Sequence, residues 1–224
     1  MLVQIPDILS ADEVASLRGR LKAEDFVDGR ITAAGTASRV KTNLELRRSD
    51  DVFAEPVALV RRALARSGTF GAAAAPKTMS TPIFNLYQTG MRYGDHVDNA
   101  IMGPEDARFR VDLSFTLFLS DPGDYDGGEL VIKTGYGRHV IKLPAGHLAL
   151  YPTYFYHEVT PVTRGARWAC VSWLQSMVRD PTRRELLFDL AVLAQALTQG
   201  GARAAELELL EKVRKNLLRQ WAET

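Results

Sequence analysis

Apolar positions along the chain follow two periods, and the change between them divides it. Near the start, Val14, Leu17 and Leu21 recur at helical spacing behind Ser10 and Glu13, a pair placed as in a capping box. Phe53, Val57, Val60 and Leu64 repeat that period, and the alanine- and glycine-rich stretch 68–76 then reads as a connection. Between these helices, residues 31–46 carry a weak strand-like pattern. From about Thr78 to Met177 the period becomes two. Val111, Leu113, Phe115, Leu117 and Leu119 alternate, which predicts a half-buried strand. Shorter runs follow at 129–133, 139–143, 147–151 and 166–175, punctuated by Gly127-Gly128, Pro144-Ala145-Gly146 and residues 161–165. Many short strands divided by turn residues predict an antiparallel sandwich or jelly roll. Beyond Asp180, which caps a helix with Pro181 at its first position, the pattern is helical again. Gly200-Gly201 separates a last helix whose Leu207, Leu210, Val213, Leu217 and Trp221 form one apolar stripe, suited to the preceding helix, the barrel or a homodimer contact.

The expected architecture is α+β: a double-stranded β-helix (jelly-roll) core at 78–177, a helical and β flank packed on it at 1–77, and a C-terminal helical extension at 178–224. Composition agrees. The 224 residues are 46% hydrophobic and 25% charged, enough for a buried core. With 28 basic against 27 acidic residues, the chain lacks the basic excess of a sequence-independent nucleic-acid binder, so no nucleic-acid partner is expected. Cys170 is the sole cysteine, which excludes an intrachain disulfide and a thiolate-rich zinc site. It lies in an apolar run and reads as a small buried hydrophobe. No run approaches the roughly 20 apolar residues of a membrane span, and residues 1–9 lack the basic flank and apolar block of a signal peptide. A cytoplasmic, reducing setting without membrane association is the expectation.

Candidate chemistry begins at Tyr93-Gly94-Asp95-His96-Val97-Asp98-Asn99. Two residues apart on a strand, His96 and Asp98 point to one face. A further histidine, His157, opens a strand-like segment in the same β region, and Arg167 follows it. Two neutral imidazoles and a carboxylate bind a divalent metal on one side and leave the other open, the arrangement of non-haem Fe(II) oxygenases. The arginine supplies a fixed cation for an acidic cosubstrate. Of the four histidines, His139 and His147 lie near turns and read as surface or turn residues.

These segments resemble the iron- and 2-oxoglutarate-dependent dioxygenase superfamily, in its prolyl/lysyl hydroxylase-like branch, and most closely the bacterial PKHD-type hydroxylases. Residues 84–101 resemble the metal segment of that family; 112–120, 125–130, 143–146, 150–152, 157–167 and 175–180 match further motifs. The likeness covers about Thr78 to Asp180, and the helical C-terminus resembles the extra domain of these hydroxylases. It implies Fe(2+) held by His96, Asp98 and His157, with 2-oxoglutarate held at its far carboxylate by Arg167 and by a hydrogen bond from Tyr87, a residue that equally suits a core. The resemblance further implies O2 as second cosubstrate, L-ascorbate as an accessory that such enzymes admit, and hydroxylation coupled to formation of succinate and CO2. The substrate would be a peptide, a protein side chain or a small metabolite, in an iron-homeostasis setting. Two departures stand out: His147 where the family carries an acidic residue, expected to alter charge beside the barrel mouth, and Phe118 where relatives place a tyrosine.

Several other features have two readings. Residues 99–110 suit a surface connection or a loop guiding substrate at the metal mouth. Gly127-Gly128 suits backbone geometry. Arg179, Arg183 and Arg184 suit a solvated cluster at a helix start or a docking point for an acidic partner. Rival functions are a non-catalytic iron, 2-oxoglutarate or oxygen sensor and a cupin-like hydrolase or isomerase. Arg167 beside a full triad favours the oxygenase, because a plain metal binder has no use for it.

Overall fold

The computed structural model describes residues 1–32, 38–48 and 50–224, so residues 33–37, inside the weak strand-like stretch, lie outside the described part. Strand β1 (Val3–Ile5) precedes helix α1 (Ala11–Arg20); β2 (Phe26–Asp28), β3 (Lys41–Thr42) and β4 (Leu44–Leu46) lead into α2 (Asp50–Arg66) and α3 (Gly68–Ala74). The strand-rich part runs through β5 (Pro76–Met79), β6 (Ile83–Gln88), β7 (Arg92–His96), β8 (Ile101–Met102), β9 (Phe109–Arg110), β10 (Leu113–Phe118) and β11 (Tyr125–Gly127). It continues through β12 (Leu130–Thr134), β13 (Gly137–Ile141), β14 (Leu148–Pro152), β15 (Tyr156–Val159) and β16 (Val162–Ser176), before α4 (Pro181–Gln199) and α5 (Ala204–Trp221).

The strands form two main antiparallel sheets. The larger, 9-stranded, has the order β1-β14-β10-β16-β6-β4-β2, with β11 and β5 paired to β16; the smaller, 5-stranded, has the order β13-β12-β15-β7-β3. Sequential strands repeatedly land in opposite sheets, as in a jelly roll. On the large sheet one face is apolar: Phe84, Leu86, Leu113, Phe115, Leu117, Leu148, Leu150, Cys170 and Leu174 pack with Leu17, Val60, Leu64 and Phe70 of the helices. Period two then turns Ile83, Asn85, Tyr87, Ser114, Thr116, Tyr151, Arg167, Val171 and Trp173 toward a cavity between the sheets. The alternating run is therefore not half-buried. All of β10 is buried, because helices cover one face and the opposing sheet the other.

Local signals explain the helix starts. The Glu13 amide donates to the Ser10 hydroxyl at 3.2 Å and the Ser10 amide to the Glu13 carboxylate at 2.9 Å, the reciprocal capping box expected for α1. At α4 the Arg183 amide donates to Asp180 at 2.9 Å. The stretch 68–76 corrects the expectation of a plain connection, since α3 occupies most of it. Its start is capped by Ser67, which accepts from the Phe70 amide at 3.2 Å, and Phe70, Ala73 and Ala74 are buried. Burial of a small-residue face outweighs the poor helix propensity of glycine here. Phe70 meets Phe115 edge-on with ring centroids 6.1 Å apart, fastening α3 to the large sheet.

The C-terminal stripe meets α4, with Leu207, Leu210, Leu217 and Trp221 half-buried, while Val213 stays exposed. Arg183 lies over the Trp221 ring, 5.5 Å from its centroid. Arg184 departs from the solvated cluster expected of it. It is buried and donates to the Val178 carbonyl at 2.8 Å, with burial lowering its pKa. Cys170 is buried, and burial raises its thiol pKa. Among the described residues, no helix is long and apolar enough to cross a membrane.

Candidate functional site

His96 closes β7 and His157 lies near the start of β15; the register pairs them directly across the small sheet. Cross-strand partners share a face, so both rings enter the cavity with centroids 4.3 Å apart. Asp98, two residues past His96, joins them: its carboxylate oxygens lie 3.9 Å from His96 Nε2 and 3.6 Å from His157 Nε2. One donor atom from each residue falls within 4.8 Å of the others.

The backbone settles which ring nitrogen faces inward. His96 Nδ1 meets the Gly94 carbonyl at 2.8 Å and His157 Nδ1 meets the Phe155 carbonyl at 3.1 Å. A carbonyl only accepts, so each Nδ1 carries the proton and each Nε2 turns a lone pair toward Asp98. Burial, reinforced by neighbouring His157, pushes the His96 pKa down to about 3, so its ring is neutral. Tyr93 stacks on His96 at 3.7 Å and Tyr151 meets His157 edge-on at 5.2 Å, fixing both planes. Burial raises the Asp98 pKa, and its Oδ2 has no hydrogen-bond partner among the described residues. Two lone pairs and a buried carboxylate pointing at one spot repel one another unless a cation stands between them. The donor set fits a divalent metal.

Arg167 approaches from the large sheet. It is 1% exposed, its Nε is buried without a hydrogen-bond partner, and the register sets it opposite Tyr87 of β6. Its guanidinium carbon lies 5.1 Å from the Tyr87 ring centroid and 5.4 Å from that of Phe118. Burial raises the pKa of Tyr87 and of Tyr125, and the nearby Arg167 opposes the rise in both. Both phenols stay protonated beside a cation that has no ion-pair partner among the described residues. Such a charge suits a dicarboxylate end. Gly127 and Gly128, at φ +70 and +65, serve backbone geometry as expected: a Cβ on Gly127 would lie 2.0 Å from the Pro161 carbonyl oxygen, and one on Gly128 would lie 3.1 Å from Arg167 Cδ.

Both groups line one cavity of about 780 Å³. Residues 99–110 are no plain surface connection, since β8 and β9 pair as a hairpin and Asn99, Ile101, Met102 and Phe109 form one wall. The wall also carries a buried pair, Lys41 and Glu45, joined by Thr32, whose hydroxyl donates to Glu45 at 2.8 Å. His147 is elsewhere: absent from the cavity wall, it faces Asp7 at 3.6 Å. His139 is exposed on β13 and 3.3 Å from the Thr134 hydroxyl. Sequence reasoning missed Tyr93, Tyr151, Ser114, Trp173 and the Lys41–Glu45 pair. Period two within β10 and β16 would have flagged Ser114 and Trp173; the others depend on strand pairing.

Two antiparallel sheets closed around paired histidines, with a buried carboxylate and a buried arginine, define a jelly-roll oxygenase. Residues 82–175 match the 2OG-Fe(II) oxygenase superfamily and residues 182–223 match the PKHD-type hydroxylase C-terminal domain. The chain is 50% identical to a PKHD-type hydroxylase of Xanthomonas euvesicatoria pv. vesicatoria, with 100% of each covered. It belongs to the PKHD-type hydroxylases, a family whose membership implies Fe(2+), 2-oxoglutarate and O2. Among solved structures, a Pseudomonas putida prolyl-4-hydroxylase shares the fold at TM-score 0.52 and 23% identity, over 78% of this chain and 92% of that one. A Trichoplax adhaerens prolyl hydroxylase, solved with a hypoxia inducible factor peptide, does so at TM-score 0.56 and 17% identity, over 83% of this chain and 86% of that one.

Proposed function

We propose that this hydroxylase holds Fe(II) through His96, Asp98 and His157, and binds the far carboxylate of 2-oxoglutarate at Arg167. When bound, iron and 2-oxoglutarate with O2 supply oxidative decarboxylation to succinate and CO2 coupled to hydroxylation of a substrate carbon. The observation carrying this reading is the convergence of three metal-type donor atoms within 4.8 Å in the cavity that Arg167 also lines. Each protein group has a definable task. The Gly94 and Phe155 carbonyls hold both imidazoles in the tautomer that leaves Nε2 free. Arg167, walled by Tyr87, Phe118 and Tyr125, anchors the cosubstrate and excludes water from its charged end. Phe118 offers only a ring face there, so the hydroxyl partners of the cosubstrate are Tyr87 and Tyr125.

The substrate we propose is a peptide, a protein side chain or a small metabolite, entering between the β8–β9 hairpin and the Lys41–Glu45 wall. The cavity lies within the roughly 300–1,000 Å³ range of ligand sites, leaving space beside a five-carbon cosubstrate. An iron-homeostasis role and support by ascorbate belong to the same proposal. Anaerobic addition of Fe(II) and then 2-oxoglutarate should develop a metal-to-cosubstrate charge-transfer band, and oxygen with substrate should yield succinate. A panel of peptides and siderophore-like chelators, searched by mass spectrometry for one added oxygen, identifies the substrate. Absence of the band would defeat the ligand assignment; a band with no succinate across broad panels would favour a sensor.

A further inference from the structure

Trp173 sits toward the end of β16, where an ordinary apolar residue would serve. Its side chain lines the cavity on the same face as Arg167 and Val171, and its Nε1 is buried without a hydrogen-bond partner. A buried, unpaired indole N–H is costly, so its retention calls for an explanation. The register sets Trp173 directly opposite Ser114 of β10, and both line the cavity that holds Asp98. The Ser114 hydroxyl is only loosely engaged, 3.5 Å from the Ser172 carbonyl, at the limit of hydrogen bonding. Asp98 itself follows β7 rather than lying within it, so no strand ladder fixes its carboxylate. An orphan donor, a loosely held hydroxyl and an orphan carboxylate oxygen thus line one cavity, with Trp173 and Ser114 both beside Asp98.

We infer that Trp173, assisted by Ser114, is a positioning residue that holds the Asp98 carboxylate by donating to the oxygen not given to the metal. The inference rests on the triad being a metal site. Trp173 and Ser114 both face the Asp98 carboxylate across the cavity. Held at one oxygen, Asp98 presents the other to the space shared with the two Nε2 atoms. The large sheet thereby orients a ligand whose chain position belongs to the small sheet.

The probe is Co(II) alone, titrated into the full chain without cosubstrate and read by its visible absorption. Replacing W173F removes the N–H and keeps an aromatic wall. Its Co(II) affinity should fall about 10- to 100-fold, the usual effect of losing a group behind a metal ligand. The absorption band should also shift, while the unfolding midpoint of the metal-free protein stays close to the parent's. S114A should weaken Co(II) in the same direction by less. Parent-like affinity, within about twofold, and an unshifted band in W173F would overturn the inference. If W173F does not fold, benzothienylalanine at this position, which exchanges the N–H for sulfur at nearly constant shape, carries the same two outcomes. Failure of the parent chain to bind Co(II) would instead defeat the metal-site reading itself.

Discussion

The two sheets bury their strands differently, and the candidate chemistry divides along the same line. The large sheet is covered by helices on one face and lines the cavity with the other, so β10 has no exposed position. The small sheet lines the cavity with one face and gives the other to water, where Lys133 pairs with Asp95 and Glu158, and Arg138 with Glu158. The small sheet supplies the two imidazoles; the large one supplies Arg167, Tyr87 and Trp173. The proposed cation-binding end thus stands across from the proposed anion-binding end, each on its own ladder, and a ligand bridging metal and arginine would span both. The division teaches that the two ends should fail separately when struck separately.

The strongest blow to the small-sheet end is H157A. It removes one Nε2 donor and should abolish stoichiometric Fe(II) binding and all succinate formation, with the fold retained by circular dichroism. Unchanged Fe(II) affinity would take His157 out of the ligand set. The matching blow to the large sheet is R167A. Loss of a buried, charged hydrogen-bonding partner is worth about 2–3 kcal/mol, or roughly a 100-fold weaker 2-oxoglutarate affinity. Fe(II) affinity should stay near the parent value in the same calorimetric series. If R167A weakened metal and cosubstrate alike, the separation between the sheets would not hold.

How much of this division could be seen in the chain itself follows from what is local. His96 and Asp98 were legible from their spacing, although the strand expected to carry both ends at His96, and His157 and Arg167 because they stand in recognisable motif segments. Tyr93, Tyr151 and Lys41 were not, since their roles follow from which strands pair: Lys41 reaches Tyr93 only because β3 pairs with β7. The helix in 68–76 was illegible for a related reason, its stability coming from burial of Phe70, Ala73 and Ala74 rather than from propensity. Arg184 looked solvated because charge is visible in a sequence and a buried carbonyl partner is not.

A gentler test touches the large-sheet end without deleting any group. Gly128 has φ +65, and a Cβ there would approach Tyr125 and Val162 at 3.0 Å and Arg167 at 3.1 Å. G128A should therefore displace Arg167 by a few tenths of an ångström and lower 2-oxoglutarate affinity about 10-fold. It should also cost about 1–2 kcal/mol of stability in urea unfolding, from the left-handed backbone. Fe(II) binding on the opposite sheet should not change. Full cosubstrate affinity in G128A would mean that the arginine has more freedom than its close packing implies.

The smallest expected effect lies outside both sheets and supplies the control for the other three. Glu13 caps α1 and also pairs with Arg66 at the end of α2, which donates to the Ile8 carbonyl at 2.9 Å. The side-chain hydrogen bond from Arg66 is the chief cause holding the Glu13 pKa down, from 4.5 to about 2. A carboxyl with a depressed folded pKa stabilises the fold above its unfolded pKa and loses that contribution as pH falls through the folded value. E13Q keeps the capping geometry, since glutamine also serves at that position, and removes only the charge. The stability gap between parent and E13Q should thus be full at neutral pH, shrink below about pH 4.5 and close near pH 2. Because the pair is partly exposed, the gap should not exceed about 1 kcal/mol. Urea midpoints measured across that range check it, and Fe(II) and 2-oxoglutarate affinities should match the parent throughout. A gap that stayed constant with pH would assign the effect to helix capping rather than to the ion pair.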